Sequence, residues 1–424
     1  MAKNKIVAGL ELGSSKVATL IAQVATDPVT FATSVNVVGV ASVESSGIKK
    51  GQIVDIEEAV NATIASVEAA ERMAGYNLDS AYVALGGASV ASQNSHGVVA
   101  IADSEGEINT ADVERVIEAA SAVSLPSSRE TIHVMPREFL VDGEAGVADP
   151  IGMSGVRLEV ETHIVTVAAS AIKNLKKAVN EVGVDVVELV YSGLASSEAV
   201  LTKTEKELGC VMIDMGAGCT SIAVFIDGAL SFSGVIPIGA KNVTNDLAIG
   251  LRVSLESAEK IKLALSEFEK KVKKAKESQE SDLLDLSSLG LGEAKRVSRK
   301  TLTEGIVRPR LNEIFTMVRL ALERESISSQ VPAGAILTGG GAETVGVLEA
   351  AKRMLSLPVR VGKPKGVSGL IDDVIIPSFA TPVGLILYGA GKSPEELTSF
   401  GKRFKLPTKG IAGKLIETVK NLLP

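Results

Sequence analysis

Hydrophobic and polar positions fall along this chain in blocks, each with its own period. Residues 5–24, KIVAGLELGSSKVATLIAQV, carry apolar and β-branched runs on both sides of Glu11-Leu12-Gly13-Ser14-Ser15, which predicts two buried strands joined by a glycine turn. A further strand is expected at VNVVGVASV. Over 55–74 the apolar positions Ile56, Ala59, Val60, Ile64 and Val67 recur at helical spacing behind Asp55, a suitable N-cap. The opening design returns at 211–225, VMIDMGAGCTSIAVF: apolar strand, carboxylate, apolar residue, glycine turn, apolar strand. Aligning Leu10-Glu11-Leu12-Gly13-Ser14-Ser15 with Ile213-Asp214-Met215-Gly216-Ala217-Gly218 points to an internal duplication and two related lobes. A third glycine turn, Leu337-Thr338-Gly339-Gly340-Gly341-Ala342-Glu343, follows the apolar pair Ala335-Ile336.

Other stretches depart from that scheme. Residues 82–166 mix short strands with one amphipathic helix at 110–122 and end in DPIGMSGVRLEVETHIVTV, which reads as a small α+β insertion. Charge dominates 267–300, where helix, mobile loop and helix are expected. The apolar stretch 374–391 is interrupted by Pro377 and Pro382 and reads as a strand, a turn and a short buried helix rather than a membrane span. Beyond Lys392 the pattern loosens into a linker.

Composition narrows the class. With 424 residues, 46% hydrophobic, 22% charged and 40 glycines, the chain is long enough for more than one core and suits an α/β protein rich in turns. A net charge of -7 argues against nucleic acid as a partner of the whole surface. Cys210 and Cys219 form neither a disulfide framework nor a zinc cluster, and MAKNKIVAGLELGSSK lacks a signal-peptide apolar run, so a cytoplasmic setting is expected.

The chemistry lies in the turns. A Gly/Ser turn after a buried strand exposes backbone N–H groups that can cradle phosphate, and small residues let the backbone approach. Glu11 and Asp214 at two strand ends could hold magnesium through its waters, with Ser14 and Lys16 adding a donor and a positive charge. Gly339, Gly340 and Gly341 would offer flat backbone to an adenosine. One such turn is usually only a turn; three in this order, two with equivalent carboxylates, favour a nucleotide. No GxxxxGK[ST] loop is present and no G-x-G-x-x-G follows the first strand. Packed or surface histidines are the simplest reading of His96, His133 and His163. No residue stands out as the one that orients an attacking water.

These residues resemble the actin/Hsp70/sugar-kinase superfamily and, within it, the FtsA family of bacterial actin-like cell-division proteins. The specific marks are Asp149-Pro150-Ile151-Gly152-Met153-Ser154-Gly155-Val156-Arg157-Leu158-Glu159, Pro237-Ile238-Gly239 and Thr244-Asn245-Asp246-Leu247-Ala248-Ile249-Gly250-Leu251. The first also reads as a turn locked by Arg157 against Asp149 or Glu159. The resemblance implies an α/β, duplicated two-lobed actin-like (ribonuclease H-like) fold. It assigns 1–81, 167–194 and 371–392 to the first lobe and 82–166 to the insertion. It gives 195–248 and 311–370 to the second lobe, 249–310 to a peripheral subdomain, 393–408 to a linker and 409–424 to a terminal helix. It further implies ATP and Mg2+ as ligands. Gly13, Ser14, Ser15 and Lys16 would form one phosphate loop, and Asp214 with Gly216, Ala217, Gly218, Cys219 and Thr220 the other. Glu259 and Lys262 would face ribose and adenine. Glu11, where the superfamily usually has Asp, would shift the metal by about a methylene, a change easier for binding than for hydrolysis, so slow turnover at best is expected. The implied partners are the FtsZ C-terminal peptide at 250–310, other copies of the chain in a filament, and later division proteins.

The terminal segment adds a membrane. Ile411, Leu415, Ile416, Val419, Leu422 and Leu423 make one apolar stripe, with Lys414, Glu417, Lys420 and Asn421 elsewhere on the wheel. A helix over 411–423 would be about 20 Å long, against roughly 30 Å of hydrocarbon, so it would lie on the surface. Lys402, Arg403, Lys405 and Lys409 just upstream suit an anionic leaflet, each cation contributing about 1 kcal/mol. Docking on the protein's own body or a partner is the plain alternative. Together these features point to the cytoplasmic face of the membrane at the division septum. A small-alcohol phosphotransferase and a PilM-like pilus-assembly protein are the competing readings; the first would need a catalytic Asp and substrate pocket that no motif supplies.

Overall fold

The computed structural model describes residues 5–27, 32–103, 106–275, 282–289 and 296–392; the expected terminal helix, with its lipid-facing residues, lies outside them. Lys5–Leu12 (β1), Lys16–Thr26 (β2) and Thr33–Glu44 (β3) form an antiparallel meander, followed by the short hairpin Ile48–Lys49 (β4) and Gln52–Ile53 (β5). Helix Ile56–Ala74 (α1) starts where the Asp55 carboxylate accepts from the Glu58 N–H and ends at Gly75, whose φ of 71° needs no Cβ. Its buried face is Ala59, Ala62, Thr63, Ser66, Val67 and Ala70, while Ile56, Val60 and Ile64 are half-buried. The sequence reading weighted the large residues; the sheet takes the small ones, because Gly39 on β3 lies directly beneath, where a Cβ would stand 2.6 Å from the Ala70 carbonyl.

Ser80–Leu85 (β6) then pairs parallel to β1. The insertion comprises Ala91–Ala100 (β7), Thr110–Ser121 (α2), Arg129–Val141 (β8), Glu144–Val147 (β9) and Arg157–Ala168 (β10). Its sheet has the order β7-β10-β8-β9 around a small core of Ile108, Val116, Ala120, Phe139, Val141, Leu158 and Val160. Ala169–Asn180 (α3), Asp185–Tyr191 (β11) and Ser192–Val200 (α4) return to the first lobe.

After Lys203–Leu208 (α5), Cys210–Met215 (β12), Thr220–Ile226 (β13) and Ala229–Ile236 (β14) repeat the meander. Ala240–Leu251 (α6), Leu255–Ala275 (α7), Leu283–Asp285 (β15), Arg296–Ser298 (β16), Arg299–Leu302 (α8) and Arg308–Arg324 (α9) follow. Then come Ala335–Thr338 (β17), Val347–Leu355 (α10), Val359–Val361 (β18), Ser368–Gly369 (β19), Ile371–Val374 (α11) and Ala380–Gly391 (α12).

The first sheet reads β11-β6-β1-β2-β3-β19 and the second β14-β13-β12-β17-β18. Read from the meander, both follow one plan: three antiparallel strands, then two parallel ones beside the first. The duplication is thus one of topology, and the fold is the two-lobed actin-like one. Helices α4 and α12 cross at the junction: the apolar cluster of the first sheet takes in Leu194, Ala195, Val383 and Ile386 and continues into Met212, Ala223 and Phe225 of the second. Tyr191 bridges the same junction, its buried hydroxyl lying 2.8 Å from the Ile222 carbonyl and 2.7 Å from that of Gly234.

Two expectations are corrected. Residues 374–391 hold no strand: α11 is followed by a 3-10 turn, Pro377–Phe379, and by α12, of which Pro382 is the third residue. A proline costs little in a first turn, whose N–H groups lack intrahelical acceptors, and a helix buried all round shows no periodicity. In the charged stretch, β15 and β16 pair antiparallel ahead of α8, so a hairpin stands where only loop was expected; 276–281 and 290–295 lie outside the described residues. The domain limits drawn at 81/82, 194/195, 248/249 and 310/311 fall inside β6, α4, α6 and α9.

The insertion also touches the second lobe. Along β14 the Ser92 hydroxyl donates to the Ser233 carbonyl (2.8 Å) and accepts from its N–H (3.1 Å), Asn94 Nδ2 donates to the Ser231 carbonyl (3.3 Å), and Arg137 Nε donates to the Ser231 hydroxyl (3.1 Å). Side chains of β7 and β8 so cover the free edge of a sheet. His163 is buried at this seam between Asn94 Oδ1 (2.7 Å) and Ser233 Oγ (3.0 Å). His133, also buried, accepts the Tyr191 N–H through Nε2 (3.0 Å). Burial foremost, with Lys392 adding to it at His133 and Arg137 at His163, pushes both imidazoles down to about 3. In the unfolded chain they protonate near 6.5, so the folded state binds fewer protons between these values. Stability is full above pH 6.5 and falls on acidification by about 1.4 kcal/mol per pH unit for each histidine. Unfolding midpoints from pH 7 to pH 4 should show this slope, and His163→Asn should halve it, leaving the share of His133.

The DPIGMSGV segment is held from below. Asp142 Oδ1 accepts the N–H groups of Val156 and Arg157, Asp149 caps Ile151, and Arg157 pairs with Glu159 at 2.7 Å, the second of the two partners expected. Ile151, Met153 and Val156 stand exposed above it.

Candidate functional site

The strand ends of both sheets open onto one cleft of about 890 Å3. Glu11, the turn after β1, Asp214, the turn after β12, Gly339 to Gly341, Glu259 and Lys262 all line it. The first turn is closed by the Gly13 N–H donating to the Lys16 carbonyl at 3.0 Å. In the second, the Gly216 N–H donates to the Cys219 carbonyl at 2.9 Å, and the first N–H groups of α6, Ala240 and Lys241, donate to the Gly216 and Ala217 carbonyls, each at 2.9 Å. Those carbonyls are drawn onto the helix end, away from any anion in the cleft. Gly239 allows this approach, since a Cβ there would meet the Gly216 carbonyl at 2.5 Å, which explains the Pro237-Ile238-Gly239 mark. Thr220 stands apart: its buried hydroxyl donates to the Ile238 carbonyl (2.8 Å) and lines no part of the cleft.

The third turn has a different reason for its glycines than the sequence suggested. A Cβ on Gly339, at φ 81°, would lie 2.3 Å from Asp214 Oδ1, and one on Gly341 would lie 2.5 Å from Met215 Cε. These two are small so that the turn can seat against the end of β12. Only at Gly340, where the nearest atom is Ser378 Cβ at 3.7 Å, would a side chain meet open room.

Glu11 and Asp214 hold matching places, each the last residue but one of its strand. Glu11 Oε2 is shut off from solvent with no hydrogen-bond partner. Burial pushes the Glu11 carboxyl up to about 7, Lys16 opposing and Asp214 adding to the rise. Burial also raises Asp214, against the hydrogen bonds of Thr381 and Ser196; Thr381 Oγ1 donates to Asp214 Oδ2 at 2.8 Å. Lys16 is lowered by burial against the pull of both carboxylates; its Nζ donates to the Ser378 carbonyl at 2.5 Å and lies 3.7 Å from the Phe379 ring centroid. A buried carboxylate oxygen without a donor, beside a second carboxylate and a lysine, suits a hard divalent cation. Among the described residues no group of three or more His, Cys, Asp or Glu is placed to hold a metal, so a magnesium ion held by Glu11 and Asp214 would have to keep most of its waters. Across the cleft, Lys262 Nζ donates to Glu259 Oε2 (2.7 Å) and Thr244 Oγ1 (2.9 Å), and Thr244 donates to Glu259 Oε2 (2.5 Å). The i, i+3 pair is thereby fixed as a polar unit.

Sequence reasoning missed Ser378, in the 3-10 turn before α12, Thr381 in the first turn of α12, the hairpin residues Gly51 and Gln52, and the turn Gly86-Gly87. The last had a signal. Strand β6 occupies in the first sheet the place of β17 in the second, and by register Val83-Ala84-Leu85-Gly86-Gly87 is the counterpart of Leu337-Thr338-Gly339-Gly340-Gly341. Among the described residues no helix is long and apolar enough to cross a membrane.

Two family models match the chain: that of the SHS2 domain inserted in FTSA over residues 87–166, and that of the cell division protein FtsA over 211–384. The cell division protein FtsA of Pseudomonas aeruginosa is 39% identical over 394 residues, 93% of this chain and 91% of that one. Its counterpart in Borreliella burgdorferi is 39% identical over 409 residues, 96% and 95% of the two chains, and that of Bacillus subtilis 35% identical over 411 residues, 97% and 89%. Among solved structures, a chain of the PilM-PilN type IV pilus biogenesis complex matches with a TM-score of 0.62 at 17% identity, over 91% of this chain and 99% of that one. The ethanolamine utilization protein EutJ of Carboxydothermus hydrogenoformans matches with a TM-score of 0.51 at 18% identity, over 91% and 90%. At such identities these two likenesses are of fold alone.

Proposed function

Since the chain belongs to the FtsA family of cell-division proteins, we propose that it binds ATP with magnesium, assembles into filaments on the cytoplasmic membrane at the septum, and tethers the FtsZ ring there while recruiting later division proteins. The observation that carries the nucleotide half is the pair of equivalent strand-end carboxylates in one cleft, Glu11 with an orphaned oxygen and Lys16 beside them. The N–H groups of Ser14 and Ser15 and of Ala217 to Cys219 hold phosphate oxygens, those of Gly13 and Gly216 being spent on closing their turns, and Lys16 adds its charge. Glu11 and Asp214 hold the magnesium, which when bound neutralises phosphate charge. Glu259, Lys262 and Thr244 take the ribose and adenine, and Gly340 leaves room for the base. Binding with slow turnover is the activity proposed.

The membrane half rests on the apolar stripe and upstream cations of 402–424, and the partner half on family membership. The exposed Ile151, Met153 and Val156 support a contact surface on the insertion, and 250–310 is proposed to take the FtsZ C-terminal peptide. The test uses the full chain and a deletion of 408–424. Both are expected to give the same heat of Mg-ATP binding, and only the full chain to sediment with anionic liposomes. No heat with the folded full chain would overturn the nucleotide half, and equal sedimentation of the two would overturn the tail.

A further inference from the structure

The β4–β5 hairpin is the part of the cleft wall with no explanation so far. Its turn, Lys50 (φ 50°) and Gly51 (φ 68°), lies among three other turns. A Cβ on Gly51 would meet Gly87 Cα at 2.8 Å, one on Gly87 would meet the Gly51 carbonyl at 2.8 Å, and one on Gly218 would lie 2.6 Å from Ser14 Oγ and 3.0 Å from Lys50 Cα. Backbone thus touches backbone on each side, with glycine at each contact. At the centre the Gly51 N–H donates to Ser14 Oγ at 3.0 Å. Upstream, the Ser45 N–H donates to the Ser15 carbonyl at 3.1 Å, tying the hairpin's base to the same turn. Lys49 and Lys50 are exposed and line no part of the cleft, while Gln52 lines its rim.

A hydroxyl that accepts from an amide keeps its own proton for another acceptor. We propose that Gly51 is a positioning residue for Ser14: its amide occupies the acceptor side of the hydroxyl, so that the proton is donated to a phosphate in the cleft, and the hairpin tip stiffens when that bond is made. The inference rests on the reading of the cleft as an ATP site. It makes the tip, with Lys49 and Lys50, the outer surface most directly coupled to nucleotide.

Calorimetry with Mg-ATP on the wild type, Ser14→Ala, Gly51→Ala and the double variant tests it. Alanine at 51 keeps its N–H, but its Cβ against Gly87 Cα displaces that amide from Ser14 Oγ, whereas Ser14→Ala removes the hydroxyl itself. A hydrogen bond to a charged acceptor makes each single change an affinity loss of about 10-fold, and because both act through the one hydroxyl the double variant should bind no more weakly than Ser14→Ala. Gly51→Ala binding like wild type, or losses that multiply to about 100-fold in the double variant, would overturn the coupling. A wild type that binds no adenine nucleotide would instead remove the ATP reading beneath it. Should Gly51→Ala fail to fold, amide exchange on the wild type decides: peptides spanning 48–53 should exchange more slowly at saturating Mg-ATP, with the slowing absent in saturated Ser14→Ala. No slowing in the wild type, or equal slowing in both, would overturn it; parallel runs with Mg-ADP tell which phosphate is read.

Discussion

Replacing Gly384 by alanine is expected to destabilise the protein by at least about 3 kcal/mol, the largest stability loss of any single methyl considered for this fold. The added Cβ would stand 1.7 Å from the Ala195 carbonyl oxygen and 2.3 Å from its carbon. These are backbone atoms of α4, so no rotamer change can make room; α12 would have to lift from α4 and take the junction apart. Methyls placed against side-chain ends cost less because the neighbour yields. Gly305, in the π-helical turn Thr303–Val307 that joins α8 to α9, has nothing within 4 Å of its Cβ position, and Gly305→Ala should be neutral or gain up to about 1 kcal/mol, since alanine loses less backbone entropy in a helical turn. Urea unfolding midpoints of the two variants make the comparison, and a Gly384→Ala midpoint equal to wild type would refute the tight crossing.

Asp214→Asn should weaken Mg-ATP binding at least about 100-fold, and Thr381→Val about 10-fold, the lower end for loss of a group that orients a metal-holding carboxylate. Both effects should shrink when magnesium is chelated, because they act through the metal. The magnesium dependence distinguishes them from damage to the fold, which would lower affinity equally with and without the ion. Calorimetry at several magnesium concentrations gives the answer. If Asp214→Asn kept the wild-type affinity throughout, the strand-end carboxylates would have no part in nucleotide binding.

Gly384 and Thr381 both lie on α12, and α12 is where sequence reading was weakest. A helix buried on all sides has no amphipathic period, and its prolines looked like breaks, so neither its full length nor the reach of Thr381 to Asp214 could be read locally. The opposite holds for the meanders. Their apolar runs, carboxylates and glycine turns recur in order, so the duplicated lobes and three turns of the cleft were legible from the letters. What a glycine is for was less so: Gly339 and Gly341 are small for the sake of Asp214 and Met215, neighbours distant in the chain. The hairpin at 48–53 escaped notice because two-residue strands carry no period at all. Gly86-Gly87 could have been found by carrying the duplication one strand further.

The row of hydroxyl, amide and guanidinium groups that Ser92, Asn94 and Arg137 lay along β14 has a mechanical implication. Covalently the insertion is an outgrowth of one lobe, yet it is sewn to the border of the other. Any swing that parts the halves of the molecule must either pivot about this stitching or undo several bonds at about 1 kcal/mol apiece. A protein that tugs on the outgrowth therefore applies its force to both jaws at once.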